Sequence, residues 1–145
     1  MIAVRDLRAE DEAAWRRLWR GYLDFYDTEL PEQVYATTFD RLTDPAVRDY
    51  CGILAVEGQD PIGLAHYIYH RHGWQIEDTC YLQDLYVAPE ARGSGAGRAL
   101  IEAVYAAADA AGRPNVYWLT QEFNATARRL YDQLGSVTPF IKYRR

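Results

Sequence analysis

The segment Arg92–Arg98, which reads RGSGAGR, carries the clearest chemical signal because it places three glycines within five positions directly before a helical pattern. The first N–H groups of a helix have no partner inside the helix, and the helix dipole favours negative charge there. Glycine lets an anion come close to such a backbone. The segment therefore predicts a binding site for a phosphorylated ligand.

Two common nucleotide-binding loops do not fit this segment. A Walker A loop, GxxxxGK[ST], needs Lys and then Ser or Thr after its last glycine, whereas Gly97 is followed by Arg and Ala. A dinucleotide-binding loop, GxGxxG, would have Arg98 in its third glycine position if counted from Gly93, and Leu100 if counted from Gly95. The segment thus predicts a different phosphate-binding loop.

The elements that would position this loop follow from hydrophobic periodicity and from turn residues. Strands are predicted over residues 2–7, 50–58, 61–74, 79–87, 115–120 and 136–145, and helices over 9–30, 31–42, 95–111 and 124–135. The order β-α-α-β-β-β-α-β-α-β indicates an α/β protein with a mixed sheet, antiparallel at first and then parallel across the glycine-headed helix. Residues 1–145 are predicted to form a single domain.

Composition narrows the classes of function. The chain has 145 residues, 49% hydrophobic and 26% charged, which predicts a folded globular protein. No apolar run reaches the roughly 20 residues that span a bilayer, and the amino terminus becomes charged too early for a signal peptide, so we expect a cytoplasmic protein without membrane contact. A net charge of −5 argues against nucleic-acid binding. Two cysteines and three histidines lack metal-ligand spacing, so no metal is expected.

The spacing Arg92-x-x-Gly95-x-Gly97 is similar to the pyrophosphate loop, Q/R-x-x-G-x-G/A, of the GCN5-related N-acetyltransferases (GNAT). The segment YLQDLYVAPEARGSGAGRALI resembles the central strand, loop and helix of that family, and NATARRLYDQLG resembles its second signature. The predicted element order is similar over nearly the whole chain. The likeness is closest to the small-amine branch, which includes the yeast histone/polyamine-type and D-amino-acid acetyltransferases and the diamine/thialysine acetyltransferases.

This resemblance implies a GNAT-like fold whose parallel strands splay apart to hold acetyl-CoA as co-substrate. It implies that the backbone of Leu85, Tyr86 and Val87 pairs with the pantetheine arm. The pyrophosphate would be bound by the loop residues Arg92, Gly93, Ser94, Gly95, Ala96, Gly97 and Arg98. Asn124 matches an asparagine that contacts the cofactor arm, although its position also fits a helix N-cap.

The resemblance also implies catalytic roles. Tyr131 matches the general acid of the family, although Tyr131 lies on an apolar helical stripe and periodicity alone favours a core residue. Polyamine-type relatives carry Glu in the central strand where this chain has Gln83, and an amide cannot act as a base. Asp84 lies beside it, and strand alternation predicts that it faces the other side of the sheet. The carboxylates of Glu29, Glu77, Asp78 and Glu122 remain alternatives, as does an enzyme without a dedicated base.

The acceptor side would be walled by the end of the first helix and by the loop before the central strand. Tyr22, Tyr26, His66 and Trp74 are the candidate residues for contacts with the acceptor. The predicted function is transfer of acetyl from acetyl-CoA directly to a primary amine of a small molecule, such as an amino acid or a polyamine. A lysine acetyltransferase acting on protein or histone tails and a non-catalytic acyl-CoA-binding module are the alternatives. The family likeness also suggests a homodimer that exchanges the C-terminal strand.

Overall fold

The helices and strands lie close to where hydrophobic periodicity predicts them. The computed structural model describes residues 1–145 and contains five strands and four α-helices. The strands are β1 (Ile2–Asp6), β2 (Tyr50–Glu57), β3 (Asp60–His70), β4 (Thr79–Val87) and β5 (Val116–Tyr117). The helices are α1 (Glu12–Phe25), α2 (Glu32–Thr43), α3 (Ala96–Ala110) and α4 (Ala125–Leu134), and short 3-10 turns precede α1 and α3.

The five strands form one mixed sheet in the order β1-β2-β3-β4-β5. Strands β1 to β4 pair in antiparallel fashion, and β4 pairs with β5 in parallel. The parallel pair is joined through α3, as expected for a crossover connection. The predicted α/β class, the mixed sheet and the position of the parallel crossover are therefore confirmed.

Each face of the sheet has its own hydrophobic core. On one face, Trp15 and Leu18 of α1 pack with Phe39 of α2 against alternate residues of β2 and β3. On the other face, Leu100 and Val104 of α3 pack against the opposite set of strand residues. Amphipathic helices on both sides of a sheet are the expected way to bury both of its faces.

A β-bulge interrupts β4 in the middle of the sheet. In the pairing with β3, His66 lies opposite Asp84, and the next residue, Tyr67, lies opposite Leu82, which leaves Gln83 as the extra residue. A bulge shifts the alternation of side chains by one position. Gln83 is exposed and Asp84 is buried, and the regular alternation from which opposite orientations are predicted is interrupted at this point.

The predicted strand over residues 136–145 is wrong for this chain alone. These residues form no regular element, and Val137, Phe140, Ile141 and Tyr143 are 76–87% exposed. A strand needs a partner for its backbone groups, and this segment pairs with no other strand of the chain. Strand β5 is also shorter than predicted, with two residues instead of six.

Candidate active site

The glycine loop has the geometry of an anion site. Gly93 and Gly95 have φ angles of +82° and +91°, a region that residues with side chains avoid, and Gly95 is the N-cap of α3. The N–H groups of Gly93, Gly95, Gly97 and Arg98 make no hydrogen bond within the protein. The N–H of Ala96 has only a long contact of 3.4 Å with the Ser94 hydroxyl. Four free donors therefore converge on the positive end of a 15-residue helix.

The structure requires glycine at position 97 for a different reason than at position 95. A Cβ atom at Gly97 would lie 3.2 Å from Leu130 Cδ2 of α4, so the missing side chain allows α3 and α4 to pack closely. A Cβ atom at Gly93 or Gly95 would meet open space. The spacing Gly95-x-Gly97 thus combines a backbone turn with a helix contact, and it leaves room above the loop.

The two arginines of the loop are held by protein groups. The Arg92 guanidinium donates from Nε to the Val87 carbonyl at 3.3 Å and lies 5.9 Å from the centre of the Phe25 ring. Arg98 donates to the side chain of Gln133 on α4.

One edge of β4 is open beside the loop. Strand β5 pairs with β4 only at Cys80 and Tyr81, so the edge from Leu82 to Val87 has no strand partner on that side. The predicted cofactor-contact residues Leu85, Tyr86 and Val87 lie in this segment. An unpaired strand edge presents N–H and C=O groups that can pair with an extended ligand.

Tyr131 and Asn124 of α4 lie on the side of the sheet covered by α3. The Tyr131 ring packs against Trp118, with 5.6 Å between the ring centres, and its hydroxyl makes no hydrogen bond within the protein and is accessible to solvent. Burial raises the pKa of Tyr131 to about 12, and Tyr26 acts in the same direction. The Asn124 side chain caps α4 by accepting from the Ala127 N–H at 3.3 Å, and its NH₂ group makes no bond within the protein.

Asp84 lies on the opposite face, in a buried hydrogen-bond network. Its Oδ1 accepts from the Tyr22 hydroxyl at 2.7 Å, and its Oδ2 lies 3.0 Å from His66 Nδ1. The Trp15 indole donates to His66 Nε2 at 2.9 Å. Burial, followed by the charge of Asp84, raises the pKa of Tyr22 and of Tyr26. The phenols around this carboxylate therefore remain protonated and available as donors.

The predicted acceptor residues occupy three different environments. Tyr22 is half-buried and Tyr26 is exposed at the end of α1, with 5.0 Å between their ring centres, so these two can form a wall. Trp74 is 86% exposed in the loop before β4 and contacts His72. His66 is fully buried behind Asp84, so the expectation that it faces the cleft is wrong. Its environment is set by the strand pairing that places it opposite Asp84.

The alternative carboxylates lie outside the buried network around Asp84. Glu29, Glu77 and Glu122 are exposed at the surface, and Asp78 forms an ion pair with Arg113 at 3.7 Å.

Sequence reasoning missed Trp15, whose indole fixes His66. The contact joins residues 51 positions apart, and a tryptophan on an apolar helix face reads as core. The one available signal was His66 itself, because a histidine buried opposite Asp84 needs a second hydrogen-bond partner for its other ring nitrogen.

Comparison with known proteins agrees with this geometry. The pattern of the acetyltransferase (GNAT) family matches residues 12–135. The chain belongs to the acetyltransferase (GNAT) family. It is similar to the D-amino-acid N-acetyltransferase HPA3 of Saccharomyces cerevisiae, with 42% identity over 146 residues, 99% of this chain and 90% of that protein. The predicted family, its small-amine branch and the assignment as an N-acetyltransferase are confirmed.

Solved structures show the same fold for this GNAT acetyltransferase. A complex of AAC(6')-Iy with the bisubstrate analog CoA-S-monomethyl-acetylneamine superposes with a TM-score of 0.84 at 18% identity, covering 100% of this chain and 98% of that one. AAC(6')-Iy has also been solved in complex with CoA. A ribosomal-protein-alanine N-acetyltransferase from Brucella melitensis biovar Abortus 2308 gives a TM-score of 0.81 at 15% identity, covering 100% and 98%. The predicted GNAT-like fold is confirmed.

No helix of this GNAT acetyltransferase has both the length and the apolar character needed to cross a membrane. No three His, Cys, Asp or Glu side chains lie together in a way that could hold a metal ion.

Proposed function

We propose that this protein transfers the acetyl group of acetyl-CoA directly to the primary amine of a small molecule, with D-amino acids as the leading acceptor class. The observation that carries the proposal is a pair of groups beside the open edge of β4. Asp84 lies on one face with its charge held by neutral donors, and the unpartnered Tyr131 hydroxyl lies on the other. The 42% identity to a D-amino-acid N-acetyltransferase supports the choice of acceptor.

The residues of this chain fit the co-substrate that the family implies. Free N–H groups of Gly93, Gly95, Gly97 and Arg98 would hold the pyrophosphate, and the open edge of β4 at Leu85–Val87 would hold the extended pantetheine arm. The free amide NH₂ of Asn124 is a further donor at the start of α4. Acetyl-CoA would supply a thioester, which gives up its acetyl group to an amine and leaves a thiolate.

The protein's own groups would bind the acceptor and assist its reaction. Asp84 would attract the ammonium group of the acceptor to the open edge of β4. This group must lose one proton, to Asp84 or to water, before the neutral amine attacks the thioester, and the second N–H proton leaves as the C–S bond breaks and CoA departs as a thiolate. Tyr131 would donate a hydrogen bond to the leaving sulfur, because its raised pKa keeps the phenol protonated over the whole physiological range. Tyr22 and Tyr26 would wall the acceptor, with Trp74 at the outer rim.

The test is release of free thiol from acetyl-CoA in the presence of D- and L-amino acids, polyamines and a histone-tail peptide. We expect turnover with small amines, highest with D-amino acids, and little with the peptide. The variant Asp84→Asn should lower kcat/KM for the amine by at least about 10-fold, with the affinity for acetyl-CoA retained. Turnover no faster than hydrolysis with every amine would remove the enzymatic proposal.

A second candidate function is a non-catalytic acyl-CoA-binding module. It is favoured by one observation, namely that the exposed Gln83 stands where the resemblance expects a carboxylate. Tight binding of acetyl-CoA in calorimetry, without acetylation of any amine, would support this function in place of the first.

We also propose that the protein forms a homodimer and that it is located in the cytoplasm. The short strand β5 and the exposed Tyr117, Leu119 and Phe123 leave an apolar edge, and the exposed tail 136–145 carries apolar side chains that pair with nothing in its own chain. Exchange of this tail between two copies would cover both surfaces. Two free cysteines suit a reducing compartment. Light scattering should give the mass of a dimer and, for Ile141→Asp, that of a monomer; a monomeric wild-type protein at micromolar concentration would contradict this part.

A further inference from the structure

A fully buried histidine connects the core of α1 to the Asp84 carboxylate. Trp15 and His66 are both 0% exposed. The Trp15 indole nitrogen lies 2.9 Å from His66 Nε2, and His66 Nδ1 lies 3.0 Å from Asp84 Oδ2. The three side chains come from α1, β3 and β4, so the packing of these elements connects them, and the connection ends at Asp84, which is 9% exposed.

The direction of each hydrogen bond in this line follows from the chemistry of the groups. An indole N–H can only donate, so His66 Nε2 must accept with its lone pair. The proton of the neutral imidazole is therefore on Nδ1, which donates to Asp84. A second proton on Nε2 would break the bond from Trp15 and leave a buried donor without a partner. His66 is thus a donor to Asp84 and cannot serve as the base itself.

Asp84 receives only neutral donors from the protein. The titratable groups that face it are Tyr22 and Tyr26 from α1, Tyr50 from β2, His66 from β3 and Tyr81 from β4. None of these is a cation when His66 is neutral, and no Lys or Arg forms an ion pair with Asp84. A nearly buried carboxylate without a cationic partner is costly, and a bound cation relieves that cost.

We propose that Trp15 and His66 are positioning residues that hold Asp84 as a carboxylate, so that the acceptor amine is bound as its ammonium cation. This inference rests on the proposed acetyltransferase function. Trp15 fixes the tautomer of His66, His66 fixes Oδ2, and Tyr22 fixes Oδ1. The positive charge missing from the protein is supplied by the substrate.

The first test measures which nitrogen of His66 carries the proton and does not depend on activity. Nitrogen-15 NMR of the labelled imidazole rings, with His66 assigned by its loss in His66→Asn, should show a neutral ring protonated on Nδ1 at pH 7. Trp15→Phe should produce a mixture of tautomers. Trp19→Phe is the matched control, because Trp19 is also buried on α1 and its indole N–H has no partner; it should leave the tautomer of His66 unchanged. An imidazolium, or a proton on Nε2 in the wild-type protein, would overturn the proposal.

The second test measures binding of the amine, with D-alanine as the probe. His66→Phe keeps a ring but removes the donor to Asp84, and it should raise KM for D-alanine about 10- to 100-fold with KM for acetyl-CoA unchanged. His66→Asn can place an amide N–H near the position of Nδ1 and should restore most of the loss. Equal KM values for D-alanine in all three proteins would overturn the proposal. If the wild-type protein acetylates no amine, the proposed function fails, and the tautomer measurement still decides the role of Trp15 and His66.

Discussion

Replacement of Tyr131 by Phe tests whether the hydroxyl of Tyr131 acts in catalysis or whether its ring only packs in the core. The ring packs against Trp118, and Phe would keep that contact. The hydroxyl forms no hydrogen bond within the protein, so its removal costs no internal bond, and the free energy of unfolding should change by less than about 0.5 kcal/mol. The affinity for acetyl-CoA should also be retained, since the loop donors are unchanged.

The expected loss of kcat follows from the acidity of the phenol. General acids contribute about 10²- to 10⁴-fold to a rate. The pKa of Tyr131 is raised to about 12, whereas a thiol has a pKa near 8.5, so complete transfer of the proton to the sulfur is unfavourable. The hydroxyl then acts mainly as a hydrogen-bond donor to the developing charge. We expect a fall in kcat at the lower end of the range, about 100-fold.

Tyr105→Phe provides the matched control for this experiment. Tyr105 packs against the same Trp118 ring, with 6.2 Å between the ring centres, but its hydroxyl donates to the Leu134 carbonyl at 2.7 Å. This variant should lose about 1 kcal/mol of stability and keep its kcat. The assays are thiol release and urea unfolding. A Tyr131→Phe enzyme with wild-type kcat would show that Tyr131 is only a core residue, as its helical stripe alone suggests.

Two further changes test the loop and the buried phenol. Gly95→Ala should destabilise the protein by about 1–2 kcal/mol, because φ is +91°, and should weaken acetyl-CoA binding in calorimetry. Gly58→Ala in the β2–β3 turn, with φ of +63° and open space around it, should cost similar stability and leave binding unchanged; equal effects on binding would contradict the role of the loop. The pKa of Tyr131 is raised from its ordinary value of 10.0 to about 12 on folding, so its contribution to stability is complete below pH 10 and is lost as the pH rises towards 12. The stability of wild type relative to Tyr131→Phe should therefore fall by about 1 kcal/mol between pH 9 and pH 11 in urea unfolding, and a constant difference would show that the phenol is not shifted.

The sequence predicts most of the fold because its signals are local. Helical stripes, alternating strands and the glycine loop each depend on residues within a few positions, and they place α3 and β4 within one residue at each end and α1 within five. The segment 136–145 also has a strand pattern, but a strand exists only with a partner, and no local signal supplies one. The same limit explains why β5 is shorter than its apolar run.

The candidate site likewise has one part that a local sequence pattern predicts and another part that depends on distant residues. The glycine loop is predicted by spacing within seven residues, and its free N–H groups follow from the start of a helix. The network around Asp84 joins His66, 18 positions away, to Trp15, another 51 positions away from His66. Residues this far apart meet through the register of β3 and β4 and through the packing of α1 on the sheet, and the bulge at Gln83 changes that register by one residue. Neither feature has a local pattern that could predict it.

The open edge of β4 also affects how the protein behaves when no ligand is bound. Six residues, from Leu82 to Val87, present an unsatisfied edge next to the apolar side chains of Tyr117 and Leu119. Such an edge is a template for strands from other chains, and hence a starting point for aggregation. A ligand that pairs with this edge would block such contacts and so protect the folded protein from aggregation. CoA should therefore delay the appearance of light-scattering aggregates on heating, and aggregation at the same temperature with and without CoA would argue against this role.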